Sequence, residues 1–234
     1  MIVTSCGAEL RVVAQADHAA LAADLLALVR SPGLVGHPRR CALLAAVRRH
    51  DDGWWEADAA PRLAADRGGP LDFRGLSTAL RLEVWTRSVE RHAGADPYTG
   101  ALVATHFLRL ADPAWSDWIE ATRARRAELA AAAGLPAAEL DADADWLALA
   151  DQLSLAAVAA DARLVSAAGW RARFAAGSPD ELALEPFPFA GPTRLRYGAR
   201  HLPARPWTDA VELGVALAGA PWQRPELRLA PLGR

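Results

Sequence analysis

Asp151 stands in the middle of an apolar stripe, between Leu147, Leu155 and Val158. At these spacings the residues share one face of a helix, so whatever buries the leucines also buries the carboxylate. An ionised carboxylate removed from water is very costly alone; it pairs with a cation or ligates a metal. The same 3.6-residue period aligns four histidines with apolar neighbours. His18 shares a face with Leu21, Ala22, Leu25 and Val29, and His50 is in line with Leu43 and Val47. His92 follows Leu82, Trp85 and Val89, while His106 lies beside Leu102, Val103, Phe107 and Leu110. Each group taken alone is explained by a hydrogen bond in the core, or for Asp151 by an ion pair with an arginine such as Arg163. Together on different helices they point to a metal site, which helical bundles build from side chains on facing helices.

The stretch "AVRRHDDGWWEADAAP", residues 45–60, shows how one helix ends at such a site. Adjacent helical residues point about 100° apart, so His50 and Asp51 do not reach one ion from a regular helix. At a last turn, with Gly53 free to take unusual dihedral angles, they can converge. Asp52 then serves as a cap, as a partner for an imidazole, or as a solvated surface group.

Along the chain, "IVTSCGAELRVVAQ" has the alternation of two short strands turning near Gly7. Helices are expected from about residue 18 to 29 with Asp17 as cap, from Pro38 to His50, and from Ser77 to about His92. Asp96-Pro97 and Asp112-Pro113 are cap and first-turn pairs for a fourth and a fifth helix, and a sixth covers roughly 143–166. Residues 57–76, "ADAAPRLAADRGGPLDFRGL", lack a clean period and form a long loop of the kind often functional in a compact domain. "EPFPFAGP" is a turn, "TRLRYGAR" alternates, "DAVELGVALAGA" is open between strand and helix, and "ELRLAPL" closes as a strand. The expected fold is mainly α, a helical bundle with short β-strands near both termini, without an internal repeat. It is organised as a single domain over 1–234: a hairpin over 1–16, a helical metal-binding core over 17–166, and an extension with short strands over 183–232.

Hydrophobic residues make up 52% of the 234, enough for a sizeable core. The formal net charge of -2 and a pI near 6.3 give no electrostatic footprint for nucleic acid. The only two cysteines, Cys6 and Cys41, make neither a CxxC pair nor a disulfide framework. The opening "MIVTSCGAELRVV" lacks the basic and apolar regions of a signal peptide, and alanine-rich stretches carry charges too often to span a bilayer. A cytoplasmic protein without a membrane partner is expected. There is no GxSxG elbow, Walker A loop or GxGxxG turn.

An early histidine, a His-Asp doublet ending a helix and a distant aspartate resemble the HD-domain superfamily of metal proteins; here they are His18, His50-Asp51 and Asp151. Dinuclear members place two further histidines in the interval, where His92 and His106 stand. "QADH", "RRHDDGWWEADAAP", "ALVATHF" and "ALADQLSLA" also resemble an uncharacterised bacterial family of unknown function with a His-Asp-Asp-Gly-Trp signature. The first resemblance implies an HD-domain-like bundle with a ligand set of His18, His50, Asp51, His92, His106 and Asp151, and phosphohydrolase chemistry. The second covers most of the chain and brings no activity.

Imidazoles with carboxylates suit one or two divalent ions of Fe, Mn, Co, Ni or Zn. Such ions activate water and clamp a phosphoryl group. Asp51 and His106 are the expected catalytic residues, and a small molecule is the expected substrate. Trp54, Trp55, Phe73 and Arg74 are expected to contact it, with His37 and His201 at structural or surface positions. Arg48, Arg49 and Arg74 could meet a phosphate, but all three read more simply as solvated. An HD-type di-iron oxygenase and a non-catalytic metal-stabilised module are the alternatives; ligation by both His92 and His106, with iron as the metal, would favour the first.

Overall fold

The computed structural model describes residues 1–66, 68–160, 165–167, 170–175 and 178–232. Strands β1 (Ile2–Cys6) and β2 (Glu9–Val13) form the expected hairpin. Its turn needs the left-handed φ of +72 that Gly7 takes without a Cβ clash. Helix α1 (Gln15–Leu28) follows, then the single turn α2 (Pro32–Val35), α3 (Arg40–Arg49) and the short α4 (Trp55–Ala59). Helix α1 starts earlier than expected and Asp17 is inside it, not its cap. Ser77 caps α5 (Thr78–Ala93) by accepting from the Leu80 N–H. Asp96 caps α6 (Pro97–Leu110) by accepting from Thr99 N–H at 3.1 Å, with Pro97 in the first turn. Asp112 instead accepts from Ala114 N–H in a turn, and α7 (Ser116–Ala132) starts later. Helix α8 (Ala137–Ala159) carries Asp151 and ends before the expected limit.

Beyond α8 the bundle expectation fails. Strands β3 (Val165–Ala167), β4 (Trp170–Ala175) and β5 (Ser178–Glu185) come first, then β6 (Thr193–Arg196), β7 (Arg200–Pro203), helix α9 (Ala210–Gly219) and β8 (Glu226–Pro231). Strand β7 adds to β2, and the other late strands make a five-stranded sheet of order β3-β4-β5-β8-β6. The molecule is mixed α/β, with two sheets beside the helices; it is not a mainly α, HD-domain-like bundle. The reason lies in residues such as "ELALE" at the end of β5. Alanine, leucine and glutamate favour helices, so propensity is mute there, and pairing with the distant β8 decides the conformation.

The main core joins the inward faces of α1, α3, α5, α6 and α8 to Leu182 and Leu184 of β5 and to Leu227 and Leu229 of β8. A smaller core under the three-stranded sheet contains Met1, Val12, Leu202, Trp207, Leu213 and Leu217. The sheets also fix helix ends. The Val158 carbonyl, in the last turn of α8, accepts from Thr4 Oγ1 at 3.1 Å and Arg11 Nη2 at 3.0 Å. That satisfies a carbonyl without an intrahelical partner and sets a cation at the negative end of the helix.

Leu182 and Leu229 are register partners in the parallel β5–β8 pair, and both are buried. Each Leu→Ala change should destabilise by about 2–5 kcal/mol. In a double-mutant cycle followed by urea unfolding, the pair should couple by about 0.5 kcal/mol or more. Additive effects would place the two leucines apart and count against the sheet.

Candidate metal centre

Four helices deliver polar groups to one buried point. Helices α1 and α6 each pack against α3 and α8. His18 comes from α1, His50 from the C-cap of α3, His106 from α6 and Asp151 from α8, with Asp51 following His50. All five side chains are buried. His18 Nε2 lies 3.0 Å from Asp151 Oδ1 and 3.5 Å from Asp51 Oδ2. His50 Nε2 is 3.4 Å from each of the same two oxygens. His106 Nε2 stands 3.6 Å from Asp151 Oδ2, and its ring centroid is 5.4 Å from that of His50.

The outer contacts fix which nitrogen faces inward. Ser154 donates its hydroxyl to the Asp151 carbonyl at 2.9 Å, so His18 Nδ1–H donates to Ser154 Oγ at 2.8 Å. His50 Nδ1–H donates to the Val47 carbonyl at 2.7 Å. Both neutral rings therefore keep their lone pair on Nε2, the arrangement that outer partners impose on metal-binding histidines. Despite the nearby oxygens, neither Nε2 has a hydrogen-bond partner. Donors bound to one divalent ion at about 2.0–2.2 Å are about 3.0–3.5 Å apart in octahedral or tetrahedral geometry. The separations above match that spacing. His18, His50 and Asp151 could hold a metal ion, their ligand atoms all lying within 4.8 Å of one another.

The electrostatics are those of a site holding protons in place of a cation. Burial pushes the His50 imidazolium down, but the Asp51 and Asp151 carboxylates outweigh it and raise its pKa to about 9. His18 is raised in the same way, against burial, by Asp151 and Asp51. Burial works to raise both carboxylates, yet the histidines hold Asp51 below its usual range and Asp151 well below it. Burial wins only at His106, which falls to about 4 and is neutral.

The doublet converges, but not through the unusual dihedral angles expected of Gly53, which sits in a 3-10 turn without a left-handed φ. Helix α3 stops, and Asp52–Trp54 make a 3-10 turn pressed against α5. Gly53 donates its N–H to Ser88 Oγ at 3.1 Å, and a Cβ at this position would collide with Ser88 and the Val84 carbonyl. Asp52 is the partner of an imidazole: its Oδ2 lies 2.8 Å from His92 Nε2. His92 is thus held by Asp52, while the other sequence-selected groups gather around Asp151. Those groups border a pocket of about 170 Å³ through His18, Asp51, His106 and Asp151. Trp54, Phe73 and Arg74, selected as substrate contacts from the sequence, also line it. Trp55 does not; it is exposed, with Arg91 4.7 Å from its ring centroid.

Arg48 and Arg49 lie in ion pairs with Asp24 and Asp96, His37 pairs with Asp143, and His201 with Glu9. Arg163 lies outside the described residues. Sequence reasoning passed over Gln15, Arg81, Phe107, Leu110 and Leu155 as pocket residues, and Ser154 as the partner of His18. Gln15 sits three residues before His18 on one helical face, a legible signal. So is Arg81, four residues before Trp85.

A family model described as "Protein of unknown function (DUF3891)" matches residues 1–204. The chain belongs to that family. Neither a curated protein nor a solved structure matches it. The HD-domain resemblance gains no support from these comparisons.

Two outcomes follow from this geometry. Gly53→Ala should destabilise by about 1–3 kcal/mol or more through overpacking against backbone, and should weaken metal uptake as the doublet moves; unchanged melting and uptake would show that the turn yields freely. A divalent ion must displace the His50 Nε2 proton, which is bound below about pH 9. Apparent affinity should therefore rise from neutral pH by up to roughly tenfold per pH unit for each proton displaced, His18 being raised as well, then level off. Calorimetry in buffers of different ionisation enthalpy should show proton release. Flat affinity without release would separate His50 from the ion.

Proposed function

We propose that this chain is a metal-dependent hydrolase that cleaves a small phosphoester with an activated water. The observation that carries it is the opening of the donor cluster onto a pocket: His18, Asp51, His106 and Asp151 form part of its wall. A purely structural site is closed by its four ligands, whereas a catalytic site keeps a position for water or substrate. Trp54, Phe73, Trp85, Phe107, Leu110 and Leu155 supply an apolar surround, and Arg74 and Arg81 supply positive charge. A water-poor pocket with guanidinium groups beside a cation centre suits an anionic substrate.

A divalent ion held by His18, His50 and Asp151 would supply Lewis acidity, polarising a phosphoryl oxygen and acidifying water. Asp51 supports the same centre, its Oδ2 standing 3.5 and 3.4 Å from the two imidazole nitrogens. His106 forms part of the pocket wall, with its Nε2 3.6 Å from Asp151 Oδ2. In this reading it relays the water's proton to the leaving oxygen. The water oxygen bonds to phosphorus, the ester P–O bond breaks, and the alcohol leaves with the proton. Ligation by both His92 and His106, with iron as the metal, would favour the oxygenase alternative; here His92 Nε2 lies 2.8 Å from Asp52 Oδ2.

Elemental analysis of protein purified anaerobically, without added metal or chelator, should find a divalent transition metal. A phosphoester screen of that protein should find turnover. Asp151→Asn should reduce metal affinity beyond the about 10–100-fold that losing an outer partner costs, and Ser154→Ala should fall within that range. Full retention of metal by Asp151→Asn would overturn the site, while bound metal without any phosphoester turnover would overturn the reaction.

A further inference from the structure

The two arginines of the pocket differ in how their charge is met. Arg74 is exposed and its Nε donates to Asp72 Oδ1 at 2.6 Å, so its guanidinium is already paired. Arg81 is half-buried on α5, and its Nη2 donates to the Arg74 carbonyl at 2.9 Å. Among the described residues no carboxylate lies within ion-pair distance of it. A backbone carbonyl orients a guanidinium without neutralising it. Other arginines on this helix and its neighbours show the contrast: Arg87 pairs with Glu83 and Glu56, Arg91 with Glu56, and Arg125 with Glu90 and Glu128.

We propose that Arg81 is a specificity-determining residue that receives the phosphate group of the substrate beside the metal centre. The inference deepens the hydrolase reading and rests on it for the identity of the reacting group. Its own basis is independent of the donor cluster: a cation pinned by one backbone contact, with its remaining donors uncommitted to any carboxylate, in the wall of a pocket of about 170 Å³. The planar fork of guanidinium donors matches phosphate oxygens, which a lysine ammonium meets only as a point charge. The pocket has room for a phosphate together with the first part of the alcohol it esterifies, and its wall continues to Arg74. That residue also borders a second cavity of about 350 Å³, lined by Val3, Leu10 and Pro70 among others. The substrate class is therefore a phosphate monoester whose alcohol part extends past Arg74.

The test is calorimetric titration of inorganic phosphate into the full chain, with and without Mn²⁺, comparing wild type with Arg81→Gln and Arg81→Lys. Circular dichroism establishes that each variant folds, and metal binding is measured separately. Arg81→Gln should weaken phosphate binding by about tenfold or more with metal affinity unchanged, and Arg81→Lys should fall between. Acetate should bind more weakly than phosphate to wild type. Phosphate binding that survives without metal and is lost in Arg81→Gln would uphold Arg81 while removing the metal reading. Equal phosphate affinity in wild type and Arg81→Gln, no phosphate binding by wild type, or acetate binding as tightly as phosphate would each overturn the assignment. If Arg81→Gln does not fold, Arg81→Lys matching wild type in affinity would overturn the fork-specific contact, and a several-fold loss would support it.

Discussion

Asp51 and Asp151 carry negative charge into a volume that water scarcely reaches, and the packing around them follows from how that charge is met. Buried ions are tolerated only where geometry supplies partners at short range. Here the charged partners are the His18 and His50 imidazoles, and neither of their helices can move without leaving a carboxylate less compensated. His50 gains enough from the two carboxylates to reach about 9 against its own burial. Divalent metal can replace protons at such a place because the retained Nδ1–H bonds, to Ser154 and Val47, are the same in either state. The proton that leaves is the one on Nε2. Replacement therefore leaves the rings where they are.

Such a cluster needs a rigid frame, and the sheets provide part of it. Arg11 of β2 is buried, with its guanidinium at the end of α8 and 5.7 Å from the Tyr197 ring centroid. The hairpin thus fixes the helix that carries Asp151. At the far end of α1, Arg30 donates its N–H to the Pro188 carbonyl at 2.8 Å, tying the helix of His18 to the segment between β5 and β6. The apolar core does the rest, with leucines of β5 and β8 continuous with those of the helices. Strands placed late in the chain are, in this sense, supports for ligands placed early in it.

The site was more legible than the fold. A helical period assigns a face to each residue, and a titratable group on an apolar face is conspicuous; His18, His50, His106 and Asp151 were visible for that reason. His92 lies close to the same kind of face, but helical period says nothing of distance, and Asp52 met it first. The β3–β5 segment was hidden because its alanines, leucines and glutamates suit a helix as well as a strand. Trp54 and Trp55 show a finer limit: adjacent residues diverge by about 100°, so one enters the core and the other the surface. Arg81 escaped notice because charge on a helix is normally solvated; its spacing from Trp85 put it on the face, and the lack of a carboxylate near it among the described residues sets it apart.

The two residues after the doublet explain the remaining organisation. Asp52 grips His92, Gly53 lets the turn press against Ser88, and the Gly53 carbonyl accepts from Arg87 Nη1 at 3.3 Å. All three contacts are with α5. Arg81, Trp85, Ser88 and His92 follow one another on that helix at intervals of four, three and four, so they share a stripe. The lower part of the stripe is gripped by the turn, and the upper part, Arg81 and Trp85, is pocket wall. His50-Asp51 faces the donors while Asp52-Gly53 holds the helix that would face the substrate. A single turn of four residues therefore sets the distance between the two, and a side chain added at Gly53 would alter both at once.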